Sequence, residues 1–197
     1  MHRICVLVSG GGTTLQAIMD AIDNGKLDAK IAAVISSRPG AYALTRARSA
    51  GIQAVELDYR KMGEEEYNDA LFRKLVELSP DLVCLAGYLK ILDSRTVDRF
   101  SGRIINIHPA LLPSFGGRGM YGMRVHEAVL SSGATESGCT VHFVTDGVDA
   151  GPVVYQERVP VLPGDTPEAL AARVHGAEMK AYPAAIRMVL NGDAVMA

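Results

Sequence analysis

Three uninterrupted apolar runs of strand length, Ile4 to Val8, Ile31 to Ile35 and Leu82 to Ala86, punctuate the first hundred residues. Runs without polar alternation are expected where helices cover both faces of a parallel sheet and neither face meets water. The segments between them change period. Tyr67, Leu71, Leu75 and Leu78 recur at helical spacing behind Glu64, Glu65 and Glu66, whose charges suit a helix N-terminus, and Ser79-Pro80 closes that helix. Residues 14–24 and 41–50 predict two more helices. This strand–helix alternation predicts a doubly wound, Rossmann-like sheet over about the first hundred residues.

Past residue 100 the pattern is different. The run from Arg103 to Ile107 reads as a further strand that Pro109 ends, since proline has no N–H to extend a central ladder. Cys139 to Thr145 alternates, which predicts a half-buried strand with Thr140, His142 and Val144 on one face, and Val153 to Val159 is its expected neighbour. Between them, Asp146-Gly147-Val148-Asp149-Ala150-Gly151-Pro152 has loop chemistry and carries two carboxylates. A final helix is predicted over roughly 167–190, with Leu170, Val174, Ala177, Ala181 and Met188 along one stripe and Pro167 in its first turn. The predicted fold is therefore α/β: a mostly parallel twisted sheet with helices on both faces, to which the C-terminal part adds a long antiparallel strand pair and a last helix. No repeat, low-complexity tract or linker interrupts it, so residues 1–197 read as a single domain with halves at 1–100 and 101–197.

Bulk properties narrow the function. The 197 residues are 48% hydrophobic, enough for a core, and 20 basic against 22 acidic residues leave a net charge of −2. That balance offers no basic excess for a phosphate backbone, which argues against nucleic acid as a partner. Cys5, Cys84 and Cys139 are odd in number, widely spaced and set in apolar runs, the mark of reduced core residues rather than a disulfide framework or zinc site. No apolar stretch nears the ~20 residues of a membrane span. A soluble, cytoplasmic protein is expected.

Three pieces can carry chemistry. The first is Ser9-Gly10-Gly11-Gly12-Thr13-Thr14-Leu15-Gln16, after the first strand and opening a helix, where backbone N–H groups, a helix N-terminus and two hydroxyls suit a phosphate. Leu15 stands where a dinucleotide fingerprint needs its last glycine, and no Gly-Lys-Ser/Thr follows, so a monophosphate on a small substrate is expected. The second is Asn106 with His108, two apart on one strand face and roughly 7 Å apart at Cα, at the carboxyl end where open α/β sheets bind ligands. The third is the loop carrying Asp146 and Asp149. An amide donor, an imidazole and a carboxylate together suit acyl transfer, in which an amine attacks a carbonyl and an oxyanion and a proton must both be managed. No nucleophilic serine or cysteine sits in a suitable context, which favours direct transfer through a tetrahedral intermediate. No spacing supports a metal held by His108, His142 and Asp149. His175 and Glu178 share one face of the last helix, and His2 and His126 have no context that assigns a role.

Taken together, the Ser9–Gln16 loop, Leu85-Ala86-Gly87-Tyr88-Leu89-Lys90-Ile91-Leu92, Asn106-Ile107-His108-Pro109 with Leu111-Leu112-Pro113-Ser114, and Gly138 through Asp149-Ala150-Gly151-Pro152 resemble the folate-dependent phosphoribosylglycinamide formyltransferases. The resemblance runs from Arg3 to about Leu190. It implies formyl transfer from 10-formyltetrahydrofolate to the amine of glycinamide ribonucleotide in purine biosynthesis, with no metal, and a monomer or homodimer. It implies a catalytic trio of Asn106, His108 and Asp149; phosphate on Gly12, Thr13 and Thr14; ribose hydroxyls on Glu178 with His175; and folate against Leu89, Lys90, Ile91 and Leu92, Asn106, and the 144–149 loop with Val144, Asp146 and Asp149. The first half then binds phosphate and the second holds the folate and the chemistry. Two stretches depart from several relatives: Gly116 to Met123 is longer and richer in glycine, and Glu64 stands where some carry a basic residue, which leaves Lys90, Arg60 and Lys61 for the folate tail. Relatives that formylate initiator tRNA or hydrolyse the same folate carry additional domains, so a phosphorylated small acceptor is favoured. An idle nucleotide-binding module would have no use for the trio.

Overall fold

Ile4 to Val8 lie at zero exposure, and the strand they belong to, β1 (His2–Val8), is the reason the first half of the chain folds as it does. The computed structural model describes residues 1–196, which form two units: Met1–Ile105 and the residues from Asn106 onward.

In the first unit, β1 pairs in parallel with β2 (Ala29–Ser36) on one side and β4 (Leu82–Leu85) on the other, and β3 (Ala54–Glu56) extends the ladder beyond β2, giving the order β3-β2-β1-β4. Val6 stands opposite Val34 and Cys84, so the predicted apolar runs are neighbours in register. Helices α1 (Thr13–Asp23), α2 (Tyr42–Ser49), α3 (Tyr59–Met62), α4 (Glu64–Leu78) and α5 (Ser94–Arg99) connect and follow them. The stripe predicted for α4 is the face it buries: Tyr67, Leu71, Leu75 and Leu78, each large apolar side chain worth roughly 1.5–3 kcal/mol on removal from water. The helix ends at Ser79 in left-handed backbone (φ 45°), one residue before Pro80. The sequence reading lacked β3, α3 and α5, whose three to six residues are too short for a period to show.

β5 (Ile104–His108) carries the chain from the first unit into the second, where α6 (Met123–Ser131), β6 (Glu136–Phe143), β7 (Val153–Pro160) and α7 (Pro167–Leu190) follow. β6 and β7 are antiparallel, with Thr140 opposite Gln156 and Val141 opposite Tyr155 before a bulge shifts the register and sets His142 opposite Val153. α7 packs on both strands; Thr166 caps it by accepting from the Ala169 N–H at 3.2 Å, and it buries Leu170, Val174, Ala177 and Ala181 as predicted. Met188 is only half-buried, and Tyr182, Ala185 and Ile186 finish the stripe instead.

The expectation of a half-buried strand over Cys139–Thr145 needs correction in two respects. β6 starts earlier and stops at Phe143, and from Ser137 onward both of its faces are buried. The alternation remains, but its polar positions point into the protein. The Thr140 hydroxyl donates to the Ala110 carbonyl (2.6 Å) and accepts from the Leu112 N–H (3.0 Å) and the Gln156 amide (2.9 Å), which is how a polar group goes to zero exposure without penalty.

Candidate active site

β5 sets Asn106 and His108 on one strand face, as their spacing requires, and the second unit completes the cluster around them. The carbonyl of Phe115 accepts from His108 Nε2–H at 2.8 Å, which leaves Nδ1 facing Asp149, 3.4 Å from Oδ2. An imidazolium, donating from both nitrogens, matches both neighbours. His142 donates from Nδ1 to the Phe143 carbonyl (2.9 Å), and its Nε2 lies between the Asn106 amide nitrogen (3.2 Å) and Asp149 Oδ1 (3.5 Å). The Gly117 N–H donates to Asp149 Oδ2 at 3.0 Å. One carboxylate is thus flanked by two imidazoles and a backbone donor. Burial raises the Asp149 carboxyl pKa, but the His142 ring, the charge of His108 and the Gly117 N–H outweigh it and hold the group below its ordinary 3.8.

The two residues that turn the backbone here, Phe115 (φ 56°) and Asp149 (φ 54°), are both left-handed without being glycine, a conformation that costs energy and collects at functional sites. Gly116, next to Phe115, packs closely as well: a Cβ there would press on the end of the Leu112 side chain and lie 3.3 Å from Asp149 Cβ. Two participants, His142 and the Gly117 N–H, were not assigned a role from sequence. The signal for His142 was its place beside Thr140 on an alternating strand; for a backbone N–H there is none. Asp146, by contrast, is exposed, while Val144, the residue after β6, is half-buried.

Elsewhere in the same unit, His175 Nδ1 and Glu178 Oε2 form a 2.9 Å pair on α7, and that hydrogen bond holds the imidazole pKa above its usual 6.5. His126 on α6 is buried and its Nδ1 has no hydrogen-bond partner; burial, with His108 nearby, lowers its pKa against an opposing pull from Glu178. Among the described residues no group of three or more His, Cys, Asp or Glu is placed to hold a metal ion: the imidazoles around Asp149 are paired with carbonyl, amide and carboxylate instead.

In the first unit, Gly12 (φ 73°) precedes α1 without any side-chain cap, and α1 has no acidic residue in its first turn, the open kind of helix N-terminus that can accept an anion. Only glycine fits at 12, because a Cβ would come within 2.6 Å of Ala43 Cβ, whereas at Gly10 and Gly11 a Cβ would meet nothing within 4 Å. Thr13 is exposed and Thr14 buried. The Ser9 hydroxyl bonds Ser37 (2.7 Å) and accepts the Leu89 N–H (2.9 Å), which ties the stretch after β4 to this loop. In that stretch Leu89 and Ile91 are 48% and 60% exposed, apolar surfaces available to a flat ring, while Leu92 is buried. Lys90 Nζ sits over the Tyr59 ring at 3.3 Å; burial, then the charges of Arg38 and Arg60, lower its pKa against the pull of Glu64.

Residues 2–186 match the formyl transferase family model. The phosphoribosylglycinamide formyltransferase of Haemophilus influenzae is 44% identical over 193 residues, covering 98% of this chain and 89% of that protein. The trifunctional purine biosynthetic protein adenosine-3 of Gallus gallus is 42% identical, but this chain spans 18% of its length. Among solved structures, glycinamide ribonucleotide transformylase 1 from Symbiobacterium toebii superposes with a TM-score of 0.91 at 44% identity over 98% of this chain and 89% of that one. A formyltetrahydrofolate deformylase from Pseudomonas syringae gives 0.88 at 25% identity, and this chain covers 62% of it. The mostly parallel sheet with its C-terminal antiparallel pair, the strained carboxylate loop and these matches have one reading in common: the chain belongs to the formyl transferase family.

Proposed function

We propose that this chain transfers the formyl group of 10-formyltetrahydrofolate to the amine of glycinamide ribonucleotide, in purine biosynthesis. The observation that carries the reading is the Asn106, His108, His142 and Asp149 cluster: an amide, an imidazole with acceptors at both nitrogens, and a carboxylate kept ionised, in a chain with a bare anion-binding loop.

Attack of a neutral amine on a formyl carbonyl builds negative charge on oxygen and positive charge on nitrogen. Asn106 offers an N–H to the oxygen. His108 keeps Nε2–H on the Phe115 carbonyl and has Nδ1–H for the same oxygen, since its 3.4 Å approach to Asp149 is longer than a good hydrogen bond and is readily exchanged. Asp149 stabilises that imidazolium and takes the proton that the attacking amine sheds, and His142 holds the Asn106 amide in place; collapse of the adduct then breaks the bond between the formyl carbon and the folate N10, which takes up that proton and leaves as the deformylated folate. Gly12, Thr13 and Thr14 take the phosphate, His175 and Glu178 the ribose hydroxyls, and Leu89, Lys90, Ile91, Leu92, Val144, Asp146 and Asp149 the folate. We divide the chain accordingly into a phosphate-binding half, 1–100, and a folate and catalytic half, 101–197. The three free, buried cysteines suit a reducing, cytoplasmic compartment, in which the chain acts as a monomer or homodimer.

The test follows absorbance of the deformylated folate with and without glycinamide ribonucleotide. Turnover that requires the ribonucleotide is the expected result. Equal folate consumption without it identifies a hydrolase, and ribonucleotide binding that folate does not affect identifies a binding module.

A further inference from the structure

The phosphate loop has no basic residue of its own, yet an arginine from another helix is bonded to its backbone. Arg46, half-buried on α2, donates from Nε to the Gly11 carbonyl (3.0 Å) and from Nη1 to the Gln16 amide oxygen (3.0 Å), with its guanidinium 5.0 Å from the Tyr42 ring centre. One residue earlier in the loop, the Gly10 carbonyl accepts the Ala43 N–H, also from α2, at 3.1 Å. In a trans peptide the carbonyl of one residue and the N–H of the next point in opposite directions. Turning the Gly10 and Gly11 carbonyls onto α2 therefore turns the Gly11 and Gly12 N–H groups away from it. The backbone at Gly10 and Gly11 is bare, with no atom within 4 Å of a Cβ built at either, and the N-terminus of α1 opens at the next residue.

We infer that Arg46 is a positioning residue for the acceptor substrate: by holding the Gly11 carbonyl and Gln16 it fixes the peptide plane that presents the Gly12 N–H, and so sets the affinity of the loop for a phosphomonoester. Its full charge is also hydrogen-bonded to the loop's own backbone at Gly11 and lowers the cost of bringing a dianion there. Glycine leaves this loop conformationally free, and a loop that must be ordered by its ligand binds it more weakly than one already ordered. Arg46 supplies that order in advance. The inference rests on the loop being the phosphate site, and the experiment separates the two ideas.

Arg46→Ala, Arg46→Lys and, as a control on the same helix, Arg48→Ala are compared with the wild-type chain in steady-state formyl transfer and in competition by inorganic phosphate. Arg46→Ala is expected to raise the KM for glycinamide ribonucleotide and the phosphate inhibition constant together, each roughly tenfold, the order of one charge-assisted hydrogen bond. The folate KM and the melting temperature should stay where they are. Arg46→Lys recovers part of the loss through its single ammonium, and Arg48→Ala changes nothing. Inhibition constants equal in Arg46→Ala and wild type, with wild type competed by phosphate, overturn the role of Arg46 alone. An equal rise in both KM values with a lower melting temperature overturns it in favour of a purely structural arginine. A wild-type chain that phosphate does not compete overturns the phosphate reading of the loop, and this inference with it.

Discussion

Asp149 has the most demanding job of any residue here, since it must stay charged while enclosed. Its neighbours achieve this at the cost of left-handed backbone, and the consequence is a sign for acid stability. A carboxyl whose folded pKa is depressed contributes stability above its unfolded pKa and loses it as pH falls through the folded value. Wild type should therefore show a destabilising step below about pH 3.8 that is absent from Asp149→Asn, measured by urea unfolding across that range. His175 runs the other way: its pKa is raised by Glu178, so its contribution is complete below pH 6.5 and fades as pH rises through the higher folded value. For the chemistry, Asn106→Ala should lower kcat by about a hundredfold or more, with modest change in either KM, because the amide acts on charge that develops only during attack. Stopped-flow or steady-state turnover at saturating substrates reads this, and near-full activity would remove Asn106 from the mechanism.

At the scale of elements, the site depends on how polar groups of buried strands are satisfied. Thr140 on β6 ties Ala110, Leu112 and Gln156 together, and these flank the segment that ends in Phe115 and Gly117. Thr140→Val keeps the shape but takes the hydroxyl away from the Leu112 N–H and the Ala110 carbonyl, while the Gln156 amide keeps the Leu112 carbonyl; it should cost about 2 kcal/mol, a fall of about 4–8 °C in melting temperature for a chain of this length. Gly12 makes the matching case in the first unit. Gly12→Ala would drive a methyl group to 2.6 Å from Ala43 Cβ and force left-handed backbone on alanine, which by itself costs roughly 1–2 kcal/mol. Since α2 cannot both yield to that methyl group and hold the Gly10 carbonyl, the variant should weaken the ribonucleotide KM as well as stability. Calorimetry alongside the kinetic assay measures the pair.

For the molecule as a whole, the three cysteines report on the folded state. All are free and buried; burial pushes the Cys5 and Cys139 thiols up to about 12 and Cys84 higher still. A thiolate is the reactive form, so a thiol reagent at neutral pH should label none of them in the native protein and all three after denaturation. Labelling at a rate that tracks global unfolding is the expected outcome, and fast native-state labelling would show that one of the two cores opens locally. No helix among the described residues is long and apolar enough to cross a membrane.

Local pattern sufficed for β1, β2, β4, α4 and α7, because a strand covered on both faces must be apolar throughout and a helix must be apolar on a stripe, and both requirements act within one element. It also sufficed to set Asn106 beside His108, two apart on β5, and to mark the glycine loop before α1. It failed for α6, where His126 interrupts the apolar positions Val125 and Val129 behind a glycine-rich stretch, and for β3, too short to have a period. The β6 alternation was read correctly as alternation and wrongly as exposure, since hydrogen bonding across 28 to 30 residues, from Thr140 to Leu112 and Ala110, decides whether a polar face meets water. The contacts that make a site of these residues are of the same non-local kind: Asn106 with His142, His108 with Asp149, Arg46 with Gly11. Each joins groups 35 to 41 positions apart, and only chain closure and packing, which no local periodicity encodes, bring them within hydrogen-bonding or ion-pair distance.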